Sequence, residues 1–178
     1  DSQPVIAERV LIVEDDPATR TGLAELVQAW GFHTEEASDG EEAMRKVTTF
    51  RPAIIVSDLV MPRMGGLELL RALQDQLTDL TFILLTAQGT VESAVGAIKD
   101  GAYDYLSKPV DPQRLQILLQ KAVERQETLR EVRHLRRQLR EHCQRRGLVV
   151  VISDLYCEPE AIPRAVQPLA WRGHDIMI

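Results

Sequence analysis

The sequence predicts an α/β fold: a doubly wound parallel sheet of five strands, an extended C-terminal helix and a short strand–helix–strand tail. Three observations lead there. Short apolar runs alternate with helical patterns five times between residues 10 and 125, and strands separated by helices return parallel through right-handed crossovers. The runs at 10–13, 53–57 and 81–86 are almost wholly apolar, as strands covered on both faces are. The chain is 44% apolar and only 4% aromatic, which suits a core of Val, Ile, Leu and Ala.

The elements follow in order. "VLIV" (10–13) reads as a buried strand, and "DPATRTGLAELVQAWG" as a helix with Asp16 at its N-cap, Pro17 at its first position and Gly31 as its stop. "HTEEAS" (33–38) is mixed, as an edge strand would be. The helix "DGEEAMRKVTTF" has Asp39 as cap and Glu42 three residues later, the spacing of a capping box. "AIIVS" (53–57) is the third strand, and "MPRMGG" turns into the helix "LELLRALQDQL". "TFILLT" (81–86), the helix "VESAVGAIKDGA" and "YDYLS" (103–107) complete the alternation. Three apolar central strands and one mixed strand favour the flavodoxin-like order 2-1-3-4-5, whose ligand crevice lies at the carboxyl ends of strands 1 and 3.

The last helix opens at Asp111 and Pro112 and meets no further Pro or Gly until Gly147. Roughly 36 residues at 1.5 Å each make about 54 Å, too long to lie against one small domain. Leu115, Leu118, Ala122, Leu129, Val132, Leu139 and Cys143 follow a 3–4 spacing, with Arg125 and Arg136 interrupting it. The distal half is expected to bury this seam on a second copy, giving a homodimer through the last helix. The expected organisation is a first domain over 8–124, a basic coiled-coil-like helix over 125–146, and a partial strand–helix–strand output fragment over 147–178. That tail is too short to bury both faces of a sheet unaided.

Charge is uneven. Residues 121–146 hold nine Lys and Arg against four Glu, about +5, leaving about −11 elsewhere in a chain of net charge −6. The basic helix offers Arg without aromatic or base-reading side chains, so direct nucleic-acid binding is not expected. Two cysteines match neither a disulfide framework nor a metal motif, and no run approaches a membrane span. A cytoplasmic protein with no membrane partner is the expectation. The chain begins at Asp1, as a trimmed one would.

The chemistry gathers at strand ends. Strand 1 ends in Glu14 and Asp15, strand 3 in Asp58, strand 4 in Thr86, and strand 5 in Lys108, shortly after Tyr105. In the expected order three carboxylates converge on one crevice. At an effective dielectric of about 20, each like-charged pair near 4 Å repels by roughly 4 kcal/mol, so the set needs a cation. Oxygen ligands without His or Cys suit Mg²⁺. A metal, an ammonium and a hydroxyl around one carboxylate form a receptor for a phosphoryl group, with Asp58 as the nucleophile. Lys108 would pair with the product and Thr86 would turn toward it, vacating space for Tyr105 in a two-state packing switch.

These residues carry a resemblance. "LIVEDDP", "IIVSDLVMPRMGGLELL", "ILLTA" and "GAYDYLSKPVD" are similar to the motifs of receiver domains of bacterial two-component response regulators, most of all the nitrogen-regulation type. The resemblance implies phosphorylation on Asp58 by a sensor histidine kinase. It also implies Mg²⁺ held by Asp15, Asp58 and the backbone carbonyl of Val60, with Glu14 acting through water. Thr86 and Tyr105 become the switch pair, Lys108 the phosphoryl-binding lysine, and Lys108–Pro109 a cis bond. Gly65 departs from the family turn, which usually carries Asp there. No Walker A or helix-turn-helix pattern follows. The segment 147–178 resembles one strand–helix–strand piece of a von Willebrand A-like domain without its metal-binding string. A truncated output domain, an engineered junction and a swapped element all remain open for it.

The alternative is a Mg²⁺-dependent phosphohydrolase with an aspartyl-phosphate intermediate. Such enzymes place a second acid two residues after the nucleophile, and here that residue is Val60. A phosphoacceptor that assists its own phosphorylation and dephosphorylation, rather than an enzyme acting on a substrate, is therefore expected.

Overall fold

The computed structural model describes residues 8–87, 91–142, 148–150 and 175–177. Five strands form one sheet: β1 (Arg9–Val13), β2 (His33–Ala37), β3 (Ile54–Asp58), β4 (Thr81–Thr86) and β5 (Asp104–Ser107). All neighbours pair in parallel, in the order β2-β1-β3-β4-β5. That is the order expected from the apolar texture of the central runs.

The period-two alternation of the strands divides the core between the two faces. Leu11, Val13, Ile55, Phe82 and Leu84 pack with Ala43, Val47, Leu69, Leu70 and Ala97, from α2 (Gly40–Phe50), α3 (Gly66–Ala72) and α4 (Val91–Lys99). Val10, Ile12, Ile54, Val56, Ile83 and Leu85 pack on the other side with Leu23, Val27, Leu115 and Leu119, from α1 (Pro17–Ala29) and α5 (Pro112–His142).

Local signals hold at the helix starts. Asp16 accepts the Thr19 amide at 2.8 Å and Asp39 the Glu42 amide at 2.8 Å. Asp111 accepts that of Gln113 at 2.9 Å. The Glu42 carboxylate bonds the Ser38 amide and hydroxyl, at 2.8 and 2.7 Å, so the capping box reaches one residue before the cap. Gly31 adopts φ 93° just beyond α1, a conformation that favours glycine at a helix end. The helix expected over "LELLRALQDQL" stops earlier. It ends at Ala72 and gives way to a 3-10 turn over Gln74–Gln76, and the buried Leu73 sits at that break.

The chain divides into two compact units, Asp1–Leu129 and Arg130–Ile178. In the first, α5 is fastened to the amino end of the sheet. Buried Gln126 donates to the Thr81 hydroxyl at 2.9 Å, and Arg125 reaches the same hydroxyl at 3.1 Å and lies over the Tyr103 ring. In the second, β6 (Leu148–Val150) pairs in parallel with β7 (Asp175–Met177). The helix expected between them lies outside the described residues, as does Cys143. Among the described residues no helix is long and apolar enough to cross a membrane.

Candidate phosphoacceptor site

Glu14, Asp15 and Asp58 arrive at the carboxyl edge of the sheet because β1 and β3 are hydrogen-bonded neighbours, with Val13 paired to Ser57. One carboxylate oxygen from each lies within 4.8 Å of the others. Glu14 is 1% exposed and Asp58 8%, while Asp15 faces solvent. Lys108 enters from the end of β5. Its Nζ donates to Glu14 Oε2 at 2.6 Å and to Asp58 Oδ2 at 2.8 Å.

Burial pushes the Glu14 carboxyl above its ordinary value, outweighing the bonds from Lys108 and the Asp16 amide that pull it down. For Lys108, burial is the largest influence and acts downward. The bonds to Asp58 and Glu14 together overcome it and hold the ammonium above its usual value. One ammonium against three carboxylates leaves the cluster short of positive charge. Hard oxygen donors this close, with no nitrogen or sulfur among them, fit a small divalent cation such as Mg²⁺.

The backbone holds this arrangement. The Lys108 amide donates to the Thr86 carbonyl at 2.7 Å, and the Leu59 amide to the Leu85 carbonyl at 2.9 Å. The Lys108–Pro109 bond is cis, as the motif implied. Arg20, which the sequence reading did not single out, donates to the Glu14 carbonyl at 2.8 Å and bonds Glu36 at 3.3 Å. It thereby ties the acid-bearing loop to β2. Its signal was weak: an Arg one turn into a helix, with an acceptor 16 residues away.

The structure thus brings Glu14, Asp58 and Lys108 into direct contact, with Asp15 close by. Thr86 is buried one position beyond Leu85, the register partner of Asp58, and joins the site through its carbonyl. Tyr105 pairs in register with Leu84 and packs against the core on the α2–α4 face. Val60 is 71% exposed, so no packing of its own side chain fixes it.

The loop between β3 and α3 is fastened by residues the sequence left unassigned. Arg63, at φ 64°, bonds the Asp39 carboxylate through Nε at 2.9 Å and through a second guanidinium nitrogen. The Gly40 amide donates to the Met64 carbonyl at 3.0 Å. Gly66 closes the loop's base: its amide reaches the Leu59 carbonyl at 2.9 Å. A Cβ there would stand 2.2 Å from the Asp58 carbonyl oxygen, so only glycine fits beneath the central carboxylate.

The profile of the response regulator receiver domain matches residues 10–120. The chain belongs to the response regulator receiver family. Regulatory protein AtoC of Escherichia coli is 35% identical over 131 residues, 74% of this chain and 28% of AtoC. Nitrogen assimilation regulatory protein NtrX of Azorhizobium caulinodans is 32% identical over 139 residues, 77% of this chain and 31% of NtrX. The chain thus spans less than a third of either relative. Among solved structures, a receiver domain protein of Clostridium thermocellum superposes with TM-score 0.66 at 28% identity, over 68% of this chain and 98% of that one. NtrX of Brucella abortus gives 0.69 at 27% identity, over 92% of this chain and 41% of NtrX. Receiver domains bind Mg²⁺ at an acidic pocket, and this receiver has an acidic cluster of Glu14, Asp15 and Asp58.

Proposed function

We propose that Asp58 is the phosphoacceptor of this receiver and that a sensor histidine kinase is its donor. The observation that carries the reading is the Lys108 ammonium bridging Asp58 and Glu14, with Asp15 within the same 4.8 Å cluster. Asp58 is placed to attack phosphorus in line through a carboxylate oxygen. A P–O bond forms to Asp58 as the bond to the donor nitrogen breaks, and that nitrogen keeps the electron pair. Lys108 stays on the new phosphoryl group, and Asp15, Asp58 and the Val60 carbonyl, with Glu14 through water, are the residues that would hold Mg²⁺. Bound there, the cation would neutralise negative charge on the transferring phosphoryl group.

The product adds about −1.5 to −2 charge at a buried strand end. Thr86 offers its hydroxyl to that charge, and Tyr105 takes up the space released against the core, so the β4–β5 edge is the face that changes. The output is a homodimer through α5. Val132, Leu135 and Leu139 are exposed along this helix, and their 3–4 spacing is that of a dimer seam. Leu135 replaces Arg136 of the expected seam. The domain bounds 8–124, 125–146 and 147–178, and the likeness of the tail to part of a von Willebrand A-like domain, belong to this proposal.

The test treats the chain and Asp58→Ala with acetyl phosphate and Mg²⁺, followed by intact mass and sizing. The chain gains one phosphoryl group and the variant none. Equal gain by the variant refutes the assignment of Asp58. A mass shift without a change in association refutes the dimer switch. Release of phosphate beyond one equivalent per chain, on a small phosphoester, would support the phosphohydrolase reading instead.

A further inference from the structure

The Val60 carbonyl, assigned above as a cation ligand, belongs to a residue 71% exposed. Something other than packing must therefore set its position. The loop from Leu59 to Gly66 closes at its base through the Gly66 amide and Leu59 carbonyl, 2.9 Å apart. Its far end has no cap of its own: Gly65 stands at the N-cap of α3 with no side-chain hydrogen bond. A carboxylate at that position would bond the Leu67 or Glu68 amide in the helix's first turn and fix the loop from the α3 side.

The loop is instead tied to a different helix. Arg63 bonds Asp39 through two nitrogens, with Nε at 2.9 Å, and the Asp39 side chain is 4% exposed. Asp39 is already oriented, because it caps α2 through the Glu42 amide. Next to it, the Met64 carbonyl accepts the Gly40 amide, and a Cβ on Gly40 would stand 2.5 Å from Met64 Cγ. Arg63 adopts a left-handed backbone conformation, φ 64°. A side chain with a Cβ holds that conformation at a cost, which the bonds to a buried carboxylate offset.

We propose that Arg63 is a positioning residue for the cation site: its bond to Asp39 takes over the role of the missing cap at Gly65 and holds the Val60 carbonyl in place. The proposal rests on the reading of Asp58 as phosphoacceptor and Val60 as ligand. The alternative is an ion pair that adds only to stability and leaves the site unaffected.

The test measures Mg²⁺ affinity directly, by calorimetry on the unphosphorylated chain, for the parent, Arg63→Ala, Arg63→Lys and Asp39→Asn. Asn still caps a helix, so the last variant removes the charge and keeps the cap. Arg63→Ala and Asp39→Asn are expected to weaken Mg²⁺ about tenfold, as loss of a group that orients a metal ligand does. Arg63→Lys, a point charge without the fork, falls between parent and Ala. With acetyl phosphate, the Mg²⁺ concentration for half-maximal phosphorylation rises in step while the rate at saturating Mg²⁺ stays at the parent's. Lower melting temperatures with an unchanged Mg²⁺ constant overturn the proposal, since that is the signature of a purely structural pair. A parent that takes no phosphoryl group at all refutes the phosphoacceptor reading instead, and the two failures are thereby distinct.

Discussion

Lys108 Nζ stands 2.6 Å from Glu14 and 2.8 Å from Asp58, so one ammonium joins two carboxylates that lie 94 and 50 residues away in the chain. This contact neutralises part of a charge cluster that would otherwise repel itself.

Lys108→Met therefore leaves Glu14 buried without its cation. Removing one partner of a buried pair exposes the other to the full desolvation penalty; with Asp15 exposed and Lys108 itself half-buried, we expect a loss of about 2 kcal/mol in urea unfolding. Millimolar Mg²⁺ should recover part of it, because a bound cation stabilises the folded state by mass action. A variant as stable as the parent without Mg²⁺ would contradict the ion-pair account.

Glu42 provides the pH prediction. Hydrogen bonds from the Ser38 amide and hydroxyl, aided by Lys46, lower its carboxyl from 4.5 to about 2. A depressed folded-state value contributes stability that is present above pH 4.5 and is lost as pH falls toward 2. The side chain is 29% exposed, so screening limits the effect to roughly 1 kcal/mol. Glu42→Gln should lower stability at pH 7 by about that amount and flatten the acid limb between pH 4.5 and 2, read by thermal melts across pH.

Gly66→Ala places a Cβ 2.2 Å from the Asp58 carbonyl oxygen and 2.9 Å from Leu84 Cδ2. Both neighbours are buried and one is backbone, so the chain must shift at Asp58, the proposed phosphoacceptor. We expect a loss of about 2 kcal/mol together with slower phosphorylation by acetyl phosphate. Gly22→Ala, with nothing within 4 Å of its added Cβ, serves as the control and leaves phosphorylation unchanged.

The proposed dimer seam can be tested by charge. With Val132, Leu135 and Leu139 at alternating core positions, Glu131 and Arg136 fall on the flanking positions that pair between parallel helices. Glu131→Arg and Arg136→Glu should each weaken self-association roughly tenfold. An equimolar mixture of the two should associate as the parent does. Sizing that shows no recovery in the mixture would rule out the parallel, in-register arrangement.

Much of this was legible locally. Apolar runs ending in Glu14, Asp58 and Thr86 mark buried parallel strands, and Asp16, Asp39 and Asp111 announce helix starts through bonds to amides two or three residues away. What was not legible depends on distance. Arg63 meets Asp39 across 24 residues, Arg20 meets Glu36 across 16, and Gln126 meets Thr81 across 45. Nothing in the neighbourhood of these residues distinguishes them from solvated side chains. The break of the third helix was not legible for a related reason: its residues suit a helix throughout, and it is the folded structure that ends α3 at Ala72 and places buried Leu73 before a 3-10 turn.

The sequence by itself determined the alternation, the strand order and the identity of the carboxylates at the strand ends, because periodicity and capping are short-range and leave their mark residue by residue. Only the tertiary structure decided how these groups are joined: Lys108, already expected at the site, is shared by Glu14 and Asp58, and Arg63 bonds Asp39 beside an uncapped Gly65. These are contacts between elements. Their partners are selected by how helices and strands pack in three dimensions, which no spacing along the chain records.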